Sequence, residues 1–293
     1  AWLLLGGVQL ELSQDPTSEA SLKQYLLLAQ SHPQTINSQG LGQAYLMLAQ
    51  LARKQNKDEL AESWLQKIDD PQLLLRTQLQ RANLLASKGK MEEAVKLIDA
   101  LPENNKEDLR NKVLAKSQFF KDFRQFQKAY ETLSGYLLSN PSDVDLFYEL
   151  SMLAEKLKRF DEMERILRTI ISTHPKYAQA YNALGFSLAD RKTRLTEAKA
   201  LIVKALEFSP EDPFITDSLG WAEYRLGNNI EALAILERAY SAKSDPEIAA
   251  HLGEVMWVLQ KSDDALRVWR EGLQTSPDNE VLKETILRLK APL

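Results

Sequence analysis

An alanine recurs in one frame along most of this chain, at Ala61, Ala94, Ala129, Ala198, Ala232 and Ala265, with Met163 filling the remaining step. The intervals are 33, 35, 34, 35, 34 and 33 residues. Prolines close several of the segments so marked, at Pro141, Pro175, Pro210 and Pro277. A Leu-Gly pair recurs at Leu184-Gly185, Leu219-Gly220 and Leu252-Gly253. A period this regular describes stacked supersecondary units, each too small to bury its own apolar face, rather than one globular core.

Composition narrows the chemistry. The 293 residues are 44% hydrophobic, enough to build a sizeable core as two average domains or one long array. The net charge of -4 argues against a nucleic-acid-binding stripe of clustered Lys and Arg. Cysteine is absent, which excludes disulfides, thiolate-held zinc and a thiol nucleophile, and suits an oxidising compartment. No apolar run reaches the roughly 18 residues of a membrane span. The chain opens on Trp2-Leu3-Leu4-Leu5 with no initiator Met, basic leader or capping residue. That reads as a fragment or processed form of something longer, with a frayed natural terminus as the alternative.

Within a unit the periodicity is helical. From Val144 to Tyr177, Phe147, Leu150, Ser151 and Ala154 fall at i, i+3, i+4 and i+7. Lys158-Arg159-Phe160 makes a turn, and Met163, Leu167 and Ile170 mark a second helical face. His174-Pro175 ends it, because proline supplies no further backbone donor. The pattern resembles the tetratricopeptide repeat. It is carried by Leu219, Gly220, Gly227, Ala232, Leu236 and Ala239 in 213–245, and by Leu252, Gly253, Ala265, Gly272 and Pro277 in 246–279. Unit 178–212 follows it through Tyr181, Leu184, Gly185, Ala198, Ala205 and Pro210, with one extra residue in its turn at 189–194. Units 75–109 and 110–143 follow it mainly through Gly89 with Ala94 and through Ala129 with Pro141, and 75–279 together are the clearer repeats. Residues 1–74 read as degenerate repeats, split first at Asp15-Pro16, and 279–290 as a polar-faced capping helix. The resemblance implies an all-α fold, a right-handed α-solenoid without strands, running as one array over 1–293.

It also implies a binding face. In such repeats the first helix of each pair lines a concave groove, and the groove positions are the second, fifth, ninth, twelfth and thirteenth of a unit. Here they hold Tyr148, Met152 and Glu155, then Asn182 and Phe186, then Phe214, Asp217, Trp221, Tyr224 and Arg225, then Glu247, Glu254 and Trp257. Either these form a stripe of aromatic anchors with charged edges, the composition of a protein-binding surface, or they pack between adjacent first helices. A clamp for a terminal carboxylate, as in chaperone-binding relatives, needs Lys and Asn where this chain has Leu114 with Gln118 and Tyr148 with Met152. The acidic Asp217 and Glu254 disfavour anionic ligands.

Catalytic signatures are missing. The three histidines, His32, His174 and His251, share no helix face; the first two suit turns or caps and the third a structural place. There is no phosphate loop, nucleophile elbow or metalloprotease motif. Glu92-Glu93 and Asp263-Asp264 precede the frame alanine and read as helix caps. Arg191, Lys192 and Arg194 form a basic turn, either solvated or a contact site. The expectation is a non-enzyme with no cofactor and no metal.

One stretch exceeds the generic repeat. It runs through Leu184-Gly185-Phe186-Ser187-Leu188-Ala189-Asp190-Arg191, Asp217-Ser218-Leu219-Gly220-Trp221 and Asp245-Pro246-Glu247-Ile248-Ala249-Ala250-His251-Leu252-Gly253-Glu254-Val255. Over 178–275 it resembles the proteobacterial tetratricopeptide outer-membrane lipoproteins, which include the adaptor of a periplasmic carboxyl-terminal processing protease. That resemblance implies a scaffold that presents substrates to such a protease in the bacterial periplasm, with membrane attachment only through a lipid anchor outside this sequence. An envelope or secretion assembly scaffold and a regulatory domain of a larger enzyme, periplasmic or cytoplasmic, are the alternatives.

Overall fold

The computed structural model describes residues 1–31 and 38–292, so His32 lies outside the described residues. Every regular element among them is helical. Two compact units are present, Ala1–Asn140 and Pro141–Leu293. The repeat period runs through this boundary in sequence, and the division falls at the proline that closes a repeat.

The first unit holds four helix pairs. These are α1 (Trp2–Glu11) with α2 (Asp15–Ser31), α3 (Ser38–Lys54) with α4 (Asp58–Leu65), α5 (Leu74–Ser87) with α6 (Met91–Asp99), and α7 (Lys106–Asp122) with α8 (Phe126–Ser139). The second unit holds α9 (Val144–Lys156) with α10 (Phe160–Thr173), α11 (Ala178–Asp190) with α12 (Leu195–Phe208), α13 (Pro213–Leu226) with α14 (Asn229–Ala242), and α15 (Pro246–Val258) with α16 (Ser262–Thr275). A last helix, α17 (Glu280–Leu289), covers α15 and α16 as the capping helix expected over 279–290.

The frame residues are where the two helices of a pair cross. Ala61, Ala94, Ala129, Ala198, Ala232 and Ala265 are fully buried, and so is Met163. A second small residue stands on the preceding helix, twelve positions earlier or thirteen where the turn carries its extra residue. These partners are Ala49, Ala82, Ser117, Ser151, Gly185, Gly220 and Gly253. The approach is closest at the glycines. A Cβ on Gly220 would lie 2.6 Å from Leu236 Cγ, and one on Gly253 would lie 2.1 Å from Trp269 Nε1. The space is filled by the side chain of the partner helix, so the pair interlocks.

The turns inside the pairs share one geometry. Asn56, Gly89, Arg124, Lys158, Gly227 and Gln260 each adopt positive φ five positions ahead of the frame residue. In each, the next amide donates back to the carbonyl five residues earlier, as Asn228 N does to Glu223 O and Lys261 N to Met256 O. This left-handed closure satisfies the last helical carbonyls and reverses the chain in a few residues. In the α11–α12 turn the extra residue puts two residues, Lys192 and Arg194, at positive φ.

First and second helices start differently. The Asn105, Asp143, Asp212, Asp245 and Asn279 side chains accept a hydrogen bond from a first-turn amide of α7, α9, α13, α15 and α17. Second helices begin directly after the left-handed turn, with no side-chain cap. Glu92-Glu93 and Asp263-Asp264 are therefore not caps. They sit in the first turns of α6 and α16, where their charge favours the positive end of the helix dipole.

Three glycines separate the forces at work. Gly220→Leu is expected to destabilise by about 1–3 kcal/mol or more through overpacking against Leu236. Gly227→Ala, with no atom near its Cβ but φ at +91°, is expected to cost roughly 1 kcal/mol from backbone strain alone. Gly135→Ala, inside α8 with open space and ordinary φ, should stabilise by roughly 0.5–1 kcal/mol. Thermal unfolding followed by circular dichroism checks the order; a Gly220→Leu variant that melts like the parent would refute the crossing geometry.

Candidate functional site

First helices of neighbouring repeats lie side by side, so residues one period apart become neighbours. In the second unit this builds a polar network across α11, α13, α15 and α17. His251 on α15 meets Asp217 on α13, its Nδ1 lying 2.9 and 3.0 Å from the two carboxylate oxygens. Those oxygens only accept, so Nδ1 carries the proton. The imidazole stacks on Trp221 at 4.2 Å between ring centres, and the Phe186 ring of α11 lies 5.8 Å away. A side chain of α11 thus reaches one of α15 past the helix between them. The alternate first helices converge on this inner face.

Two further ion pairs flank the imidazole. Arg225 lies over the Trp221 ring at 4.1 Å and donates to Asp190 of α11 at 3.2 Å. Trp221 Nε1 donates to the same carboxylate oxygen. Glu254 is 1% exposed, accepts two bonds from the Arg288 guanidinium of α17 and receives the Tyr224 hydroxyl at 3.2 Å. Burial pushes the Tyr224 phenol up, with Glu254 adding to it. Glu223 turns the other way, to Lys199 of α12 at 2.5 Å and Asn228 at 2.7 Å.

This corrects part of the groove assignment. Asp217, Trp221 and Glu254 are buried, at 6%, 3% and 1% exposure, and spend their polar groups on neighbouring first helices. They are inter-repeat cement rather than open anchors, because the first helices lie close enough for one repeat's ring to cover the next. Tyr224 and Arg225 are half-buried in the same network. Trp257 leans on the core ring of Trp269, 5.8 Å between centres. Phe214 is exposed beneath the Lys243 ammonium at 4.3 Å, at the start of α13. Glu247 is exposed. Tyr148, Met152 and Glu155 on α9, with Asn182 and Phe186 on α11, remain half-buried.

The basic turn is tied down as well. Arg194 pairs with Glu164 of α10, and Arg168 bonds Glu197 of α12 at 2.5 Å. The hydrogen bond from Arg194 holds Glu164 down at about 2. Arg191 lies over the Phe160 ring at 4.4 Å and donates to Ser187 O. His174 is the C-cap of α10, with its Nδ1 3.0 Å from Thr173 Oγ1.

Asp190 and Arg288 were not among the expected site residues. Their signal was available: Asp217–His251 and Glu254–Arg288 are both 34 apart, one repeat, as i,i+4 pairs are one turn apart in a helix. Among the described residues no group of three or more His, Asp or Glu side chains is placed to hold a metal ion, and no helix is long and apolar enough to cross a membrane.

Fold and repeat frame together define a tetratricopeptide-repeat protein, an α-solenoid of helix-turn-helix units. The chain is 37% identical over 246 residues, 84% of its length, to a TPR repeat-containing protein of Pseudomonas aeruginosa. It is 27% identical over 173 residues to a human protein named as the O-mannosyl-transferase TMTC1. It spans only 42% and 19% of these two relatives. No family model matches. Among solved structures, yeast Tom70 aligns over 94% of this chain and 59% of its own at a TM-score of 0.64 and 15% identity. A tetratricopeptide repeat protein from Parabacteroides merdae aligns over 92% and 99% at 0.59 and 15% identity. A thermophilic TPR protein of Thermus thermophilus aligns over 62% and 98% at 0.56 and 20% identity. This fold is one of protein-interaction scaffolds, whose stacked repeats present extended concave surfaces.

Burial is the largest influence on His251 and pulls its pKa down. The charge and hydrogen bond of Asp217, then Glu254 and Asp190, outweigh it and hold the group above its ordinary 6.5. A folded-state value raised in this way gives stability that is fully present below about pH 6.5 and lost as pH rises through the raised value. The second unit is therefore expected to melt lower as pH climbs through that window, and Asp217→Asn, which leaves burial dominant, to abolish or reverse the dependence; thermal scans across pH, with the imidazole titrated by nuclear magnetic resonance, check it.

Trp221→Ala should cost roughly 3–5 kcal/mol of stability, as for a large buried ring. Phe186→Ala, half-exposed, should cost clearly less. Equal melting of the two variants would show that Trp221 is not the buried member of the network.

Proposed function

We propose that the chain is a non-catalytic protein-binding module, and that it serves as an adaptor presenting substrates to a periplasmic carboxyl-terminal processing protease in cell-envelope maintenance. The observation that carries the binding role is the inner face of α9 and α11. Tyr148, Met152, Asn182 and Phe186 stand there half-exposed at adjacent groove positions, beside a network that locks α11, α13 and α15 together. Ordering such a surface in advance lowers the entropy lost on binding. The protease pairing and the periplasmic setting rest on the resemblance over 178–275 to outer-membrane lipoproteins. The absence of cysteine suits that compartment.

The test uses the purified chain and a purified carboxyl-terminal processing protease of the same bacterial class, with binding measured by surface plasmon resonance. Tyr148→Ala with Phe186→Ala is expected to weaken capture by about 2 kcal/mol or more, some thirtyfold, at little cost in melting temperature. Unchanged capture moves the interface off this face, and no capture by the parent chain removes the protease from the proposal.

A further inference from the structure

The inner helices of the second unit are acidic. Among α9, α11, α13 and α15 there are eight carboxylates, three, one, two and two in that order, against Lys156, Arg225 and the imidazole of His251. Half of these carboxylates are held in ion pairs with the second unit's own side chains. Asp217 is held by His251, Glu254 by Arg288, Glu223 by Lys199 and Asp190 by Arg225.

Glu155 on α9 is different. It is half-buried and enters no ion pair. Burial, the largest influence, raises its pKa; the Ser187 hydroxyl, Lys156 and Arg191 oppose this and Asp190 adds to it. Ser187 on α11 is 2% exposed, and its Oγ stands near the Glu155 carboxylate without completing a hydrogen bond of good geometry. Five residues earlier on α11, the Asn182 side-chain oxygen is also sequestered without a donor. A half-buried carboxylate with no cation in contact is costly, and so is each polar atom left unmatched. All three groups accept hydrogen bonds, and Tyr148, Met152 and Phe186 supply apolar surface on the same two helices.

We propose that this face binds an extended segment of a partner protein that carries a lysine or arginine next to apolar residues, its cationic head seated on Glu155 and Ser187 between α9 and α11. The inference rests on the protein-binding reading above and gives that reading its partner chemistry. A basic head answers both the unpaired carboxylate and the surplus of acid on the inner helices, as complementary charge does at interfaces generally. Of the lysine and arginine on these helices, Arg225 is committed to Asp190 and Trp221, and Lys156 adjoins the Glu155 carboxylate in sequence, so an acidic or carboxyl-terminal ligand meets a net acidic face.

The experiment measures fluorescence anisotropy of three short labelled peptides on the whole chain. They share Leu-X-Leu spacing within Gly and Ser, with X as lysine, glutamine or glutamate. The lysine peptide should bind at least about tenfold more tightly than the other two, and weaken as salt is raised. Glu155→Gln, which keeps the shape, should erase that preference while leaving the glutamine peptide unchanged. If the glutamine peptide binds as well as the lysine peptide to the parent chain, the inference is overturned and the protein-binding reading stands. A lysine preference that survives Glu155→Gln also overturns it. If no peptide of any charge binds, and Phe186→Ala leaves protease capture intact, the inner-face reading falls with it.

Discussion

Everything in this molecule depends on how closely the two helices of a repeat approach each other. The crossing is made by two small positions, the frame alanine on the second helix and a Gly, Ala or Ser on the first. Where the first is glycine, the space its Cβ would fill belongs to Leu236, Ile202 or Trp269 of the partner helix. Interlocking of this kind aligns the pair and leaves each pair with apolar surface that its neighbours cover. The left-handed turns between helices serve the same contact, because they reverse the chain without adding length.

From that spacing follows the chemistry of the inner face. Once the pairs stack at a fixed repeat, polar residues one period apart stand opposite each other. Asp217 with His251 and Glu254 with Arg288 are two instances. The first pair is withdrawn from water, and in the second Glu254 is buried beneath an exposed Arg288; Trp221 and Tyr224 reinforce them. Breaking such a pair strands a buried charge, which costs more than the pair contributes. The network therefore holds successive first helices in one arrangement rather than adding much net stability. Its acidic surplus surfaces at Glu155, at the edge of the network rather than at its centre.

The groove residues show where sequence reasoning stops. Tyr148, Met152, Asn182 and Phe186 stand half-exposed at positions the repeat assigns to an inner surface. Asp217, Trp221 and Glu254 hold equivalent positions and are buried. The difference lies in the neighbour. On α13 and α15 the next first helix brings His251 or Arg288 onto the position; on α9 and α11 comparable partners leave Glu155 unpaired. Repeat position fixes the face of the helix toward which a side chain points. It does not say what the adjacent repeat places there.

What the sequence by itself determined is the architecture. The interval between alanines, the prolines and the Leu-Gly pairs specified helical pairs, their turns and the closing helix, because these depend on local periodicity and steric size. The burial of Trp221, the hydrogen bond from His251 Nδ1 to Asp217, and the half-buried carboxylate of Glu155 were decided only by tertiary structure. Those properties arise from residues about thirty positions or more apart. Their distances are set by the curvature with which first helices converge, a quantity no single repeat encodes.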